Sequence, residues 1–326
     1  MALETINPLT WQEHAWRNRF QSLFLLGLML VFSGLLGYLL FGRDGISLIV
    51  LITTGLLLIS PRVPVDLLMR MYRAEKLLPE DAPSLYQHMA LLAKRAGLRR
   101  IPDIYFLPSP VMNAFAVGSQ RQSAIGLTSG LLKALNNEEL SGVLAHEISH
   151  IRSNDIWVMG IADLFSRITS ILSLIGQVLV FINLPLILYG QVAINWWAIL
   201  LLIFAPNISA LAQLALSRTR EFDADLKAAK LIGNPTPLVS ALTKIEGAQG
   251  HWFERIMRPN QRVLEPSILR THPRLEERIQ RLMELKNTYF SQLKPEIIPP
   301  FLDAAISKNY ISSVTKPRRH MSGLWY

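Results

Sequence analysis

The chain has 326 residues, enough for one large domain or two ordinary ones. Half of them are hydrophobic and only 17% are charged, against roughly 25% in ordinary globular chains, so the deficit is local and points to membrane segments. The net charge of +9 comes without any Lys/Arg-rich stretch interleaved with aromatics, which excludes the pattern of a nucleic-acid binder, and the absence of cysteine excludes disulfides and thiolate metal sites.

Phe20 to Gly42 is free of charge and long enough, at 1.5 Å per residue, to cross a hydrocarbon core of about 30 Å. Arg43-Asp44-Gly45 is a turn, and the shorter apolar run Ile46 to Ser60 completes a membrane hairpin. Residues 84–97, with Leu85, Met89, Leu92, Ala93 and Ala96 at helical spacing, predict a helix ending at Gly97. Ile101 to Leu107 reads as a strand, and Ala114–Gly118 with Ser123–Thr128 as a short hairpin pair. One helix is expected from Ser129 and another from about Asn137 to Asn154. Ile168 to Ser217 carries no charge, and Asn183, Pro185 and Gly190 mark a turn between two helices near 165–183 and 195–216. Further helices are expected at 218–232, 236–247 and 273–287, followed by a surface tail with Pro295, Pro299, Pro300 and a basic cluster around Arg318.

The expected organisation is therefore an N-terminal segment (1–19), a first transmembrane hairpin (20–60), a polar part (61–164), a second hairpin (165–216), a second polar part (217–287) and a tail (288–326). Arg17, Arg19, Arg62, Arg70, Arg73, Lys76, Arg167, Arg218 and Arg220 flank the ends on the side of the polar parts. By the bias of Lys and Arg to the inner side, both polar parts face the cytoplasm across the inner membrane. The lack of cysteine fits that compartment.

The chemistry is concentrated in His146-Glu147-Ile148-Ser149-His150. Residues four apart lie on one helix face, so the two imidazoles can converge on one ion at roughly 2.0–2.1 Å. Glu147 is then placed to take a proton from a water held there. Val143, Leu144, Ala145 and Ile151 make this a buried helix, in which three unpaired ionisable groups would be costly. A catalytic zinc site usually has a third protein ligand. Glu221, after the last apolar run, is the candidate that stands out, with Asp225 one turn on; by spacing alone Glu221 is equally a solvated acid beside an Arg. His14, His88, His251 and His320 read as surface or packing residues.

His146 to His150, with Asp155 shortly after, then two spans and Ser217-Arg218-x-Arg220-Glu221-x-x-Ala224-Asp225, resembles the HtpX-type membrane zinc metalloproteases. These are gluzincin relatives of the CAAX prenyl endopeptidases, and the resemblance covers about residues 20–285. Together with the four transmembrane helices in two hairpins read above, it implies an α+β fold, mainly α with a small β-hairpin or edge sheet, in which a zincin-like (gluzincin) core is fused to those helices. It implies Glu221 as the third ligand of one zinc ion per subunit, with Asp225 and Asp155 behind the ligands. Asn113, Ala114, Phe115 and Ala116 resemble the family's edge strand, which pairs with substrate by β-addition. Thr271-His272-Pro273 with Arg278 resembles its C-terminal element, implying that His272 and Arg278 steady the oxyanion. The expected activity is zinc-dependent cleavage of polypeptides, above all misfolded or damaged membrane proteins. The rivals are a CAAX prenyl endopeptidase and a non-catalytic membrane scaffold or chaperone, against which the free carboxylate of Glu147 speaks.

Overall fold

A computed structural model describes residues 7–59, 64–189, 195–257 and 274–285. In chain order the elements are α1 (Pro8–Phe41), α2 (Arg43–Ile59), α3 (Val65–Met71), β1 (Glu75–Lys76), α4 (Pro83–Ala96), β2 (Asp103–Leu107), β3 (Ala114–Gly118), β4 (Ser123–Thr128), α5 (Ser129–Ala134), α6 (Asn137–Ser153), α7 (Asp155–Ile182), α8 (Leu184–Leu188), α9 (Trp196–Ile232), α10 (Thr236–Met257) and α11 (Leu275–Glu284). The protein is mainly helical with one small sheet.

Three helices, α1, α7 and α9, are long and apolar enough to cross a membrane. Helix α2 is apolar but has 17 residues, about 26 Å at 1.5 Å per residue, which falls short of a hydrocarbon core of about 30 Å. It packs closely on α1: a Cβ placed on Gly45 would lie 2.0 Å from the carbonyl oxygen of Gly37. Polar side chains join the long helices. Ser33 meets Thr169 at 3.2 Å, and Ser166 bonds Gln213 at 2.9 Å.

Two helices run further than hydropathy suggests. Helix α1 begins at Pro8, where Asn7 accepts the amide of Leu9 at 3.1 Å and caps it. Its first turns dock on the polar part rather than forming a separate segment. Ala15 is buried, the Trp11 indole donates to the Leu226 carbonyl at 3.3 Å, Lys230 sits 4.0 Å over the Trp11 ring, and His14 faces Glu284 at 3.3 Å. Helix α9 runs unbroken from Trp196 to Ile232, stopping at Gly233 with φ 75. The expected break near residue 217 does not occur, because the charges that begin there are neutralised inside the fold.

The four-stranded sheet has the order β1-β2-β4-β3. Strand β4 is buried throughout and pairs parallel with β2 (Ile104 opposite Ile125) and antiparallel with β3 (Ala116 opposite Ile125). Strand β3 is at the edge. The sheet and α4, α6, α9, α10 and α11 share one core, in which Phe106, Ile125, Leu144, Ile148, Leu226 and Leu282 are buried.

Candidate active site

Helix α6 is fixed at both ends. Asn136 accepts the amide of Glu139 at 2.9 Å, and Glu139 accepts the amide of Asn136 at 2.9 Å, a reciprocal capping box. The buried Glu139 carboxylate also binds Ser240 and Lys244 of α10, both at 2.7 Å. At the other end Asn154 takes the left-handed conformation, φ 53, and turns the chain directly into α7. Between these caps His146 and Glu147 are buried and His150 is half-buried.

Helix α9 crosses α6 and brings Glu221 to the two imidazoles. The Nε2 atoms of His146 and His150 are 3.1 Å apart; the Glu221 carboxylate oxygens lie 3.5 Å from the first and 3.7 Å from the second. These three are the described residues that could hold a metal ion. Glu147, by contrast, makes no hydrogen bond or ion pair among the described residues. Among the described residues it differs in this from Asp155, Glu221 and Asp225, each of which meets a His or Arg.

Each imidazole is backed by an acid, and each acid by an arginine. His150 Nδ1 lies 2.7 Å from Asp155 Oδ2, at the first residue of α7. The other oxygen of Asp155 accepts from Arg220, whose Nε is 2.6 Å away. Arg220 also meets Asp223 at 2.9 Å, which Lys227 contacts in turn at 2.5 Å. His146 Nδ1 lies 3.0 Å from Asp225 Oδ1, off the ring N–H axis. Asp225 is gripped by Arg278 through bonds of 2.7 and 2.6 Å. Burial works against the charged form of His146, but Asp225 and Glu221 outweigh it and raise the ring's pKa to about 10. The centre therefore attracts positive charge. Burial also opposes the Arg278 cation, and the same two carboxylates raise its pKa above the usual value.

The sequence-derived residues thus divide. His146, His150, Glu221, Asp155 and Asp225 come together around one point, with Glu147 beside them. Arg278 is present, but its guanidinium is engaged by Asp225 and stands 3.5 Å from Glu221, so the structure gives it carboxylate partners rather than an open face. His272 lies outside the described residues. Asn113 precedes the edge strand β3, which runs beside α6. Its backbone is pinned by Thr128, whose Oγ1 accepts the Asn113 amide at 3.0 Å. Ala114 and Ala116 pack toward the core, and Phe115 lies on the opposite face against Gly126 and Tyr72. Sequence reasoning missed Arg220, Asp223 and Lys227. The available signal was a run of charges inside an otherwise apolar helical pattern.

The profile of peptidase family M48 matches residues 79–286, well over half of the chain and all of the described centre. The chain belongs to peptidase family M48. This M48 metalloprotease is 33% identical over 285 residues to the protease HtpX homolog of Desulfatibacillum aliphaticivorans, covering 81% of this chain and 89% of that protein. It is 36% identical over 261 residues to the protease HtpX homolog of Pelotomaculum thermopropionicum, covering 76% and 92% respectively. The crystal structure of Ste24p from S. mikatae is similar at 20% identity with a TM-score of 0.45, over 85% of this chain and 67% of that one. Family membership makes the M48 chain a metal-dependent peptidase of the HtpX-like membrane group, and the three long apolar helices fit an integral membrane protein.

Proposed function

We propose that the metal of this protease is one zinc ion per subunit, held by His146, His150 and Glu221 in a zincin-like core. The observation that carries the reading is the spacing of the three donors. Atoms bound tetrahedrally at about 2.0–2.1 Å sit about 3.3 Å apart, and the donor separations here are 3.1, 3.5 and 3.7 Å. Two imidazoles and one carboxylate leave a fourth position open, as catalysis requires. When bound, zinc polarises the scissile carbonyl and makes water acidic enough to attack near neutral pH.

The chain's own residues supply the rest. His150 donates its Nδ1 proton to Asp155, which leaves Nε2 as the donor atom facing the ion. Asp225 stands 3.0 Å from His146 Nδ1, off the N–H axis, and backs that ring as a nearby negative charge. Arg220 and Arg278 neutralise these two acids and hold them in place, so Arg278 acts as a positioning residue. Glu147 takes the proton of the attacking water and passes it to the departing amine. An extended peptide pairs along β3 through Asn113 to Ala116, presenting its backbone to the centre. His272 of the Thr271-His272-Pro273 segment is assigned to the oxyanion on the strength of the family resemblance.

The substrates are polypeptides, above all misfolded or damaged membrane proteins, and the catalytic face lies in the cytoplasm, where flanking Arg and Lys residues accumulate. Helix α2 completes the first hairpin as a fourth, shorter span. The test is Glu147→Gln in purified full-length protein, with metal analysis and casein digestion in the presence and absence of chelator. The variant keeps one equivalent of zinc, and cleavage falls by about 10²–10⁴, the usual weight of a general base. Near-normal cleavage by the variant removes Glu147 from the mechanism; chelator-insensitive cleavage by the parent removes the metal.

A further inference from the structure

Strand β3 is held at its start by side chains as well as by its ladder. The register runs from Gly118 opposite Ser123 to Ala114 opposite Leu127, so the next pair is Asn113 with Thr128. There the Thr128 amide donates to the Asn113 carbonyl at 3.2 Å. The return bond is taken by the Thr128 side chain, whose Oγ1 accepts the Asn113 amide at 3.0 Å. The same hydroxyl donates to the Asn113 carbonyl at 2.9 Å and accepts the Leu131 amide at 3.3 Å, which caps α5. A hydroxyl has one proton and two lone pairs, and Thr128 uses its whole capacity on these contacts while 4% exposed.

The two residues that follow hold the segment leading into β3. The Ser129 hydroxyl donates to the Ser109 carbonyl at 2.7 Å, and the Gly130 amide donates to the same carbonyl at 2.9 Å. A Cβ on Gly130 would lie 2.1 Å from the Pro110 carbonyl oxygen, so only glycine allows this approach. Thr128, Ser129 and Gly130 thus form a bracket at the β4–α5 joint, to which the segment from Ser109 to Asn113 is fastened.

The bracket sets the phase of the free edge. In an antiparallel ladder, successive residues point their backbone groups alternately toward and away from the neighbour. Asn113 points toward β4, so Phe115 and Val117 do too, while Ala114 and Ala116 turn N–H and C=O away from it. Those groups face the side of β3 on which no strand lies. A slip of one residue would turn the groups of Phe115 outward instead and carry every side chain to the other face, taking Phe115 off Tyr72.

We propose that Thr128 is a positioning residue for substrate: its hydroxyl fixes the start and register of β3, so that Ala114 and Ala116 offer their backbone groups to an extended peptide beside α6. The inference rests on the reading of β3 as the peptide-pairing edge.

Valine keeps the shape of threonine without the hydroxyl, and serine keeps the hydroxyl. The assay uses full-length protein in detergent and a fluorogenic peptide taken from a site that the parent cuts in casein. Strand pairing is made alike before and during the chemical step, so Thr128→Val is expected to raise KM by about 5–10-fold and to leave kcat within about twofold. Thr128→Ser is expected to match the parent in both. Asn113 is exposed, so its freed amide turns to water and the strand loosens without opening the core. Amide exchange in Thr128→Val should accordingly quicken over residues 113–118 and stay parental in α6. A parental KM in Thr128→Val, a loss confined to kcat, a Thr128→Ser protein as impaired as Thr128→Val, or unchanged exchange over 113–118 overturns the proposal. Chelator-insensitive cleavage by the parent strikes the metal reading instead and leaves the comparison of the two variants valid.

Discussion

Replacing Arg278 by methionine removes a charge from a sealed environment and leaves the side-chain volume nearly unchanged. Asp225 and Arg278 are 3% and 8% exposed and joined by two bonds of 2.6 and 2.7 Å. Charge centres about 4 Å apart attract by about 4 kcal/mol at an effective dielectric of about 20, and breaking a buried pair from one side costs about 3–5 kcal/mol. The loss from Arg278→Met is therefore expected near 4 kcal/mol, since Asp225 then faces Glu221 with no arginine between them. Asp225→Leu alone costs a similar amount by stranding the guanidinium. The double variant replaces the pair with apolar groups, a change that is often close to neutral, so its loss falls well below the sum of the singles. The assay is denaturant unfolding of the chelated protein in detergent, where metal binding does not mask the difference, with all four members of the cycle measured together. Additive losses would show that the two side chains do not act on each other, and the account of Arg278 as the holder of Asp225 fails.

Asp155→Ala, which frees the His150 ring, should weaken zinc binding by about 10–100-fold in chelator competition; unchanged affinity shows that Asp155 does not orient the ligand. His88 of α4, which contacts the Ser141 hydroxyl at 2.8 Å, has its pKa lowered from 6.5 to about 4 by burial and then by Arg95. The fold keeps this ring neutral, so its contribution is complete above pH 6.5 and is lost as pH falls from 6.5 to 4, by up to about 3 kcal/mol. Melting curves of His88→Gln should accordingly slope less over that window than those of the parent. A Cβ on Gly142 would lie 2.9 Å from both the Cα and the N of Leu238, so Gly142→Val must push α10 off α6 and should cost about 1–3 kcal/mol, read as a drop in melting temperature.

The motif helix was legible because every local signal agreed. Asn136 and Glu139 have capping-box spacing, apolar residues recur at helical period, and Asn154 closes the helix. Strand β2 and the hairpin of β3 and β4 followed from short β-rich runs bounded by turn residues, whereas β1, only two residues long, carried no such signal. The sheet order did not, since the parallel pairing of β2 with β4 is a long-range choice that local pattern does not encode. Hydropathy located the apolar spans and misplaced the ends of the helices that contain them. It reports where greasy residues stop, whereas α9 continues because Arg220, Asp223 and Lys227 find partners. Glu221 was read as starting a new helix and lies in the interior of this one. The partnership of Arg278 with Asp225 spans 53 positions, and nothing in either neighbourhood announces the other. The family resemblance drew attention to Arg278 without saying what it holds.

The unbroken α9 carries an apolar stretch and the Glu221 carboxylate on one continuous helix. Glu221 stands fifteen residues past Pro206, about 22 Å along the axis. A swing of only about 5° at that proline sweeps the carboxylate sideways by about 2 Å, the length of a zinc–oxygen bond. Because the helix is continuous, a lean set by lipid thickness would be carried to the Glu221 carboxylate rather than absorbed at a break near residue 217.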